Sequence, residues 1–290
     1  MFQHVDNCEG GIFAFFDFFW GDDVYEPVDS DLGIVVDWEK SRSEVYFADN
    51  RIYFDVLAGS AEGASGTGGS LARFTIVETW LYTLHGSSMK LYSLADPSNP
   101  APGNIVEIGW DIETIFPYGD NLFVGSMTGM YIYDNSTPSA PVQLSRFAHV
   151  TSCDPVVVSG NRAYVTLRSG AICGGGVDQL DIIDISDLEN PELVSTFTMD
   201  EPHGLGIDGN TLFVCDGASG LKVYDASSGS FINLIASMPD ITAIDVILRP
   251  PVAIVVGPGG IDQYDYSDLS DILLLSHIDI VTPEENELEA

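Results

Sequence analysis

Four residues with side chains that could act together on a ligand fall near one position of an internal repeat. Counting back ten residues from an aligned position in each unit gives Glu113, Asp154 and His203, and Arg73 lies one residue out of phase in the first unit. Two carboxylates, an imidazole and a guanidinium could bind a metal ion or a polar ligand, or transfer protons if their pKa values differ. The alternative is a ring of hydrogen bonds that only satisfies the ends of strands. The residues alone leave both readings open.

These positions are related by a repeat of about 41 residues, which is the strongest signal in the chain. Five short apolar segments carry an equivalent third residue, at spacings of 41, 50, 41 and 40: Tyr92, Tyr133, Ile183, Tyr224 and Tyr264. A second series just upstream has spacings of 41, 41, 49 and 40. One insertion, RSGAICGGG at 168–176, accounts for the long interval in both series.

Each unit contains four short apolar segments separated by turns rich in Asp, Asn, Gly and Pro, without helical periodicity. This pattern is typical of β-propeller blades, and a solenoid of sheets is the alternative. Five units cover 71–280, and SEVYFADNRIYF at 43–54 fits the first two strands of another. We therefore predict an all-β protein, a β-propeller with five four-stranded blades plus a partial N-terminal blade. It is either six-bladed or an incomplete larger propeller, and no helix is longer than one turn.

The prediction divides the chain into an aromatic-rich extension at 1–42, a propeller at 43–280 and an acidic tail at 281–290. The extension contains IFAFFDFFW, which is either a strand or lid that packs on the main body or an exposed aromatic patch. This run is too short to span a membrane and has no preceding basic residues. We expect neither a transmembrane segment nor a signal sequence in this chain.

The charge balance limits the partners that the protein can bind. The chain has 44 Asp and Glu against 10 Lys and Arg, a net charge of -34. Such a surface repels phosphate backbones, which argues against nucleic acid. It suits high salt, divalent cations or cationic partners.

Known motifs for catalysis or metal binding do not occur. The sequence lacks GxSxG, HExxH and a Walker-type phosphate loop. Four spaced aspartates do not follow the EF-hand pattern, so they are turn formers or a surface Ca²⁺ site: Asp262, Asp265, Asp268 and Asp271. We predict no other cofactor.

Several segments together resemble the LVIVD-repeat family of bacterial β-propeller proteins. They are GGSLARFTIV, IETIFPYGDNLFVGSMTGMYIYD, CDPVVVSGNRAYVTLRSG, CGGGVDQLDIIDIS and EPHGLGIDGNTLFVCDGASGLKVYDAS. Members of this family are typically secreted proteins or surface lipoproteins of Bacteroidetes-type bacteria without an established activity. The resemblance implies the propeller fold and an extracytoplasmic location, at the cell surface or secreted.

Two of the four cysteines fall in the third unit. Cys153 begins an innermost strand and Cys173 lies in the insertion after the next strand. Neighbouring strands are about 5 Å apart, so the thiols could form a disulfide worth roughly 3 kcal/mol. Free buried thiols and a metal or redox pair are the alternatives. Cys215 is expected to be buried in a strand, and Cys8 has no assigned role.

The function that these features favour is a binding or scaffolding module at the bacterial cell envelope, without defined catalysis. Its partner would be a protein or a polar ligand. The alternative is a hydrolase or lyase that uses the carboxylates and His203 at the mouth of the propeller channel, since one fold supports many activities.

Overall fold

The computed structural model describes four stretches of the chain: 69–109, 112–149, 155–170 and 176–280. All of them belong to one structural unit, Ser60–Ala290. Several sequence-based predictions lie outside the described residues: the extension, the partial blade at 43–54, the acidic tail, Cys8, Cys153, Asp154 and Cys173. Within the described stretches the chain forms twenty β-strands and no helix.

The strands form five antiparallel sheets, and each sheet contains four strands that follow one another in sequence. Blade 1 comprises β1 (Phe74–Val77), β2 (Trp80–His85), β3 (Ser88–Ser93) and β4 (Ala101–Glu107). Blade 2 comprises β5 (Ile112–Tyr118), β6 (Asn121–Ser126), β7 (Gly129–Asp134) and β8 (Val142–Ala148). Blade 3 comprises β9 (Val156–Ser159), β10 (Arg162–Leu167), β11 (Gln179–Asp184) and β12 (Glu192–Thr198).

The last two blades repeat the same order. Blade 4 comprises β13 (Leu205–Asp208), β14 (Thr211–Cys215), β15 (Leu221–Asp225) and β16 (Asn233–Met238). Blade 5 comprises β17 (Asp245–Arg249), β18 (Val252–Gly257), β19 (Gly260–Asp265) and β20 (Leu273–Asp279). This arrangement is a β-propeller, so the predicted fold and its five four-stranded blades are confirmed. The solenoid alternative is wrong.

A repeated aspartate ends the third strand of four blades and closes the next turn. In each case its Oδ1 accepts a hydrogen bond of 2.8 Å from the amide of a serine two residues later: Asp134 from Ser136, Asp184 from Ser186, Asp225 from Ser227 and Asp265 from Ser267. These bonds favour the carboxylate and lower the pKa of each aspartate. Short polar side chains bonded to their own backbone are the physical basis of such turns.

The blades pack face to face through four apolar clusters of buried side chains. One cluster joins each pair of successive blades, for example through Tyr82 and Val124, Phe123 and Val165, Tyr164 and Leu212, and Phe213 and Val255. No fifth cluster joins blade 5 to blade 1 within the described stretches. Burial of apolar surface therefore holds the blades together at four boundaries.

The burial of residues on the central strands differs between blades that have two neighbouring clusters and blades that have one. In blade 2 the neighbouring residues Phe123 and Val124 point to opposite faces and are 1% and 0% exposed. In blade 5 Val255 is 1% exposed, whereas its neighbour Val256 is partly exposed. Among the described residues, apolar clusters cover the middle blades on both faces and the first and last blades on one. We call the boundary between blade 5 and blade 1 the seam.

Candidate functional site

The inner strands of all five blades surround one cavity on the axis of the propeller. Its volume is about 150 Å³, and it is lined by residues such as Thr75, Phe116, Val157, Ile207 and Leu248. None of the residues that line it carries a titratable side chain. Typical ligand pockets are larger, about 300–1,000 Å³. The cavity is therefore a small space of mixed polarity without ionisable groups, and the charged residues at the inner end of the blades lie outside it.

Two of the predicted site residues lie at the boundary of blades 1 and 2. Arg73 directly precedes β1, and its Nη2 donates a hydrogen bond of 3.3 Å to the carbonyl of Ile112. Glu113 is the next residue on β5 and is partly exposed. The guanidinium thus fastens one blade to the next. The grouping of Arg73, Glu113, Asp154 and His203 at one mouth stays a prediction.

His203 lies just before β13 and is held by its backbone. Its amide donates to the carbonyl of Cys215 at 2.7 Å, and its carbonyl accepts from Oγ1 of Thr166 at 2.6 Å. Its Nε2 lies 3.6 Å from Oε1 of Glu201. Burial, reinforced by the charge of Arg168 and opposed by Glu201, lowers the pKa of His203 to about 4. The imidazole is therefore neutral near pH 7, and it can exchange hydrogen bonds but supplies no positive charge.

A buried acidic group beside His203 has no counterpart in the sequence-based prediction. Asp216 follows β14 and is 0% exposed. Its Oδ1 accepts from the amides of Asp200 and Glu201 at 3.1 and 2.7 Å, and its Oδ2 pairs with Nζ of Lys222. Lys222 also reaches Oδ2 of Asp200 at 3.0 Å. Both oxygens of this carboxylate thus already have partners, two amides and an ammonium. These bonds fasten the end of β14 to the chain at Asp200 and Glu201.

Asp245, the first residue of β17, is the second buried aspartate that the sequence did not reveal. It is 1% exposed, and its Oδ1 accepts from the amide of Val246 at 2.9 Å and from Oγ of Ser70 at 3.4 Å. Its Oδ2 has no hydrogen-bond partner. Burial raises the pKa of Asp245 to about 7, although bonds from Val246, Leu71 and Ser70 oppose the shift. The only hint in the sequence is an aspartate inside the apolar segment AIDVIL.

The spaced aspartates of blade 5 have structural partners. Asp265 and Asp268 accept turn hydrogen bonds from Ser267 and Ser270, and Asp262 lies 2.6 Å from Nδ1 of His277. Among the described residues no three His, Cys, Asp or Glu side chains come together in a way that could hold a metal ion. The reading of these aspartates as turn formers therefore has direct structural support at Asp265 and Asp268.

Cys215 lies at the end of β14 and is fully buried, as the sequence predicts, and its thiol is free. Burial, followed by the nearby charges of Asp245 and Asp216, raises its pKa well above the ordinary value. A thiol of this kind is not a nucleophile near neutral pH. The predicted disulfide between Cys153 and Cys173 lies outside the described residues and stays a prediction.

One family model matches the chain. The LVIVD repeat matches residues 152–199, which include all four strands of blade 3 and the insertion. The resemblance inferred from the sequence is confirmed for this part of the chain. No curated protein matches the chain.

Solved structures share the fold at low sequence identity. A protein from Lactobacillus plantarum has a TM-score of 0.57 and 16% identity, over 72% of this chain and 74% of that one. A functionally unknown protein from Desulfotomaculum acetoxidans has a TM-score of 0.52 and 13% identity, over 69% and 68%. The computationally designed Ika8 protein has a TM-score of 0.51 and 12% identity, over 71% of this chain and 60% of that one. This chain thus spans less than two thirds of Ika8.

No helix long and apolar enough to cross a membrane occurs in the described part of the chain.

Proposed function

We propose that this protein is a binding or scaffolding module of the bacterial cell envelope, and that it binds a protein partner along β20. The observation that carries the proposal is the exposure of this strand. All seven residues of β20 are exposed, and Leu273, Leu274, Leu275 and Ile278 are each more than 50% exposed. Contiguous exposed apolar side chains are a feature of interaction surfaces.

Three of the four other outer strands contain residues that protect a free edge, and the fourth, β16 (NLIASM), has two partly buried residues, whereas β20 has none. Pro102 lies in β4, Arg146 in β8 and Glu192 in β12, and prolines and charges of this kind discourage pairing with another strand. The sequence of β20, LLLSHID, has no proline, lysine or arginine, and its one acidic residue, Asp279, is the last of the strand. An exposed edge of this type can accept an extended segment as an additional strand.

Charge indicates the chemistry of the partner. Asp262, Asp265 and Asp279 lie on β19 and β20, and the whole chain has a net charge of -34. A basic partner segment with apolar residues would match both the charge and the leucines, and electrostatic attraction would speed its association. The partner that we propose is therefore an extended, basic and apolar segment of another protein.

The envelope location rests on the LVIVD repeat and on the acidic surface, which suits an environment with high salt or divalent cations. The test is protease treatment of intact cells that produce the protein, followed by detection of blade 5 with an antibody. We expect digestion without cell lysis. Protection until the cells are lysed would contradict this location.

The central cavity supports binding at the edge over catalysis on the axis. It is small and lined by no ionisable group, Asp216 is saturated by its own partners, and His203 is neutral near pH 7. A general base and acid need accessible groups with matched pKa values. The variant His203→Gln should accordingly leave partner binding unchanged, and a loss of binding would place the partner at the channel mouth.

The experiment that tests the proposed surface uses a photo-crosslinking residue at Leu274 in the full chain. The control carries the same residue at Leu193, which lies at the equivalent outer position of blade 3 and is 51% exposed, against 55% for Leu274. We expect a protein adduct from position 274 and none from position 193.

Purified components then quantify the interaction. The adduct protein, identified by mass spectrometry, should bind the unmodified chain. Its affinity for the Leu274→Asp variant should be at least about tenfold lower, because a charge replaces a central apolar contact. Leu193→Asp should bind as the unmodified chain does. Equal affinities for all three proteins would exclude β20 as the docking strand.

A further inference from the structure

The seam is bridged by the short segment that leads into β1. Ser70 Oγ accepts a hydrogen bond of 2.7 Å from the amide of Leu205 in blade 4 and donates one of 3.4 Å to Asp245 in blade 5. The chain then enters blade 1 at Phe74. Polar contacts at residues 69–71 therefore connect blade 1 to blades 4 and 5, where the apolar clusters do not.

Two glycines enclose the carboxyl group of Asp245. A Cβ atom at Gly69 would collide with its Oδ2, and a Cβ atom at Gly204 would collide with its Oδ1. Both backbones thus approach the carboxyl as closely as only glycine permits. The unpaired Oδ2 faces the Gly69 backbone in this fully buried space.

We propose that Asp245 is a proton-operated latch that holds residues 69–71 against blades 4 and 5 and thereby closes the seam. In the protonated form the carboxyl is neutral and fits its buried position. In the ionised form the bonds from Val246, Leu71 and Ser70 offset only part of the cost of the buried charge, because Oδ2 has no hydrogen-bond partner. Ionisation therefore favours release of the segment.

The charged and titratable groups around the latch leave this ionisation uncompensated. On β14 the neighbour is Cys215, whose pKa is raised well above the ordinary thiol value, so it stays neutral. Asp216 and His203 lie beyond it, and the former is paired with Lys222. Arg73, which follows the segment, donates instead to Ile112 of blade 2. Opposite Asp245 on β18 is Val256, which is apolar.

The direction of the pH effect follows from the pKa of the carboxyl in the two states. In the closed state the pKa is about 7, and in the released state it returns towards 3.8. The closed state is therefore fully favoured below about pH 4 and loses this advantage as the pH rises to about 7. Over that interval the equilibrium constant for opening increases by up to about tenfold per pH unit and then levels off.

Opening of the latch would also change the central cavity. Ser70, Leu205 and Val246 all line it, and all three take part in the hydrogen bonds of the latch. Release of residues 69–71 would therefore remove part of the cavity wall and let solvent reach the inner strands. The predicted consequence is a propeller that is closed in mildly acidic solution and opens more often above pH 7.

The test is residue-resolved hydrogen exchange of the full chain between pH 5 and pH 8 at constant ionic strength, with each rate divided by the intrinsic rate. The reporters are the amides of Ala72, which donates to Gly69, and of Leu205 and Val246. In the unmodified protein their opening constants should rise by up to about tenfold per pH unit to about pH 7.

Two variants identify the responsible group. Asp245→Asn should abolish the pH dependence at these amides. Asp181→Asn should preserve it, because Asp181 is also buried and has a raised pKa but lies on β11 in blade 3. Opening constants of the unmodified protein that do not change with pH would overturn the proposal even if Asp245→Asn failed to fold. A slope that persists in a folded Asp245→Asn would overturn it too.

Discussion

The boundary between blades 4 and 5 and the seam between blades 5 and 1 lie on opposite faces of the same sheet, and they are held by different forces. At the first boundary Phe213 of blade 4 packs on Tyr266 with ring centroids 5.0 Å apart, among side chains with little or no exposure. At the seam Ile254 and Val256 stay partly exposed, and the connection runs through Ser70 and Asp245.

This difference indicates that the boundaries between blades contribute unequally to the stability of the propeller. Four boundaries gain free energy from apolar burial, which changes little with pH, and the seam depends on hydrogen bonds to a titratable group. Blade 5 also carries β20, the outer strand with the greatest exposure. The blade that we propose as the docking site is therefore, with blade 1, one of the two blades that the apolar clusters of the described residues cover on one face.

The largest predicted effect is at the closed boundary. Phe213→Ala should lower the free energy of unfolding by about 3–5 kcal/mol, since the ring is 0% exposed and its removal leaves a cavity. Urea denaturation measures the change. The control is Phe231→Ala, at a ring that is 55% exposed and contacts Phe197 edge-on, with an expected loss below about 1 kcal/mol. Equal losses would contradict the uneven distribution.

Adjacent valines on β18 compare the two faces directly. Val255→Ala should cost about 2 kcal/mol, because the side chain is 1% exposed and packs in the cluster with blade 4. Val256→Ala should cost less than about 1 kcal/mol, because its face is only partly covered. Denaturant midpoints of the two variants under one condition give the comparison. A larger loss at Val256 would mean that the seam is packed as tightly as the closed boundary.

The free energy of unfolding should depend on pH through Asp245 at the seam, whereas the apolar boundaries should contribute little to this dependence. Because the pKa of Asp245 is about 7 in the folded protein, its contribution to stability is present below about pH 4 and falls by up to about 1.4 kcal/mol per pH unit as the pH rises to 7. Unfolding free energies of the unmodified protein and Asp245→Asn, compared at the same salt concentration, isolate this contribution. Parallel profiles for the two proteins would remove Asp245 as its source.

The smallest predicted effect concerns the turn that follows the third strand in blades 2 to 5. Asp134 in blade 2 and Asp265 in blade 5 close equivalent turns, and the pKa of each is lowered by bonds from the following serine. Their contribution is present at neutral pH and is lost as the pH falls below the ordinary carboxyl range. Asp134→Ala and Asp265→Ala should give small and equal decreases in Tm. Unequal decreases would mean that the turns also differ between blades.

Much of the fold could be predicted from the sequence because each blade repeats the same pattern of apolar strands and polar turns. The residues aligned as Tyr92, Tyr133, Ile183, Tyr224 and Tyr264 all lie in third strands, and the polar turns follow them. Alternating apolar residues and aspartates that bond to their own turn act over a few residues, so their pattern is visible in the sequence.

The site was harder to predict because its properties depend on distant neighbours. Asp216 and Asp245 resemble any other aspartate in an acidic chain, and only packing makes one the partner of Lys222 and leaves the other partly unpaired. Arg73 and His203 were identified by position in the repeat, which gives the blade but not the direction of the side chain. The structure directs the former towards Ile112 and the latter towards Glu201.

The central claim is that, among the described residues, blade 5 is packed in an apolar cluster on one face only. Native-state hydrogen exchange at pH 7 tests it most directly by comparing the amides of β18, which is covered on one face, with those of β6, which is covered on both. The account predicts opening constants at least about tenfold larger in β18 than in β6, because fewer apolar contacts oppose local opening. Equal protection of the two strands would contradict it.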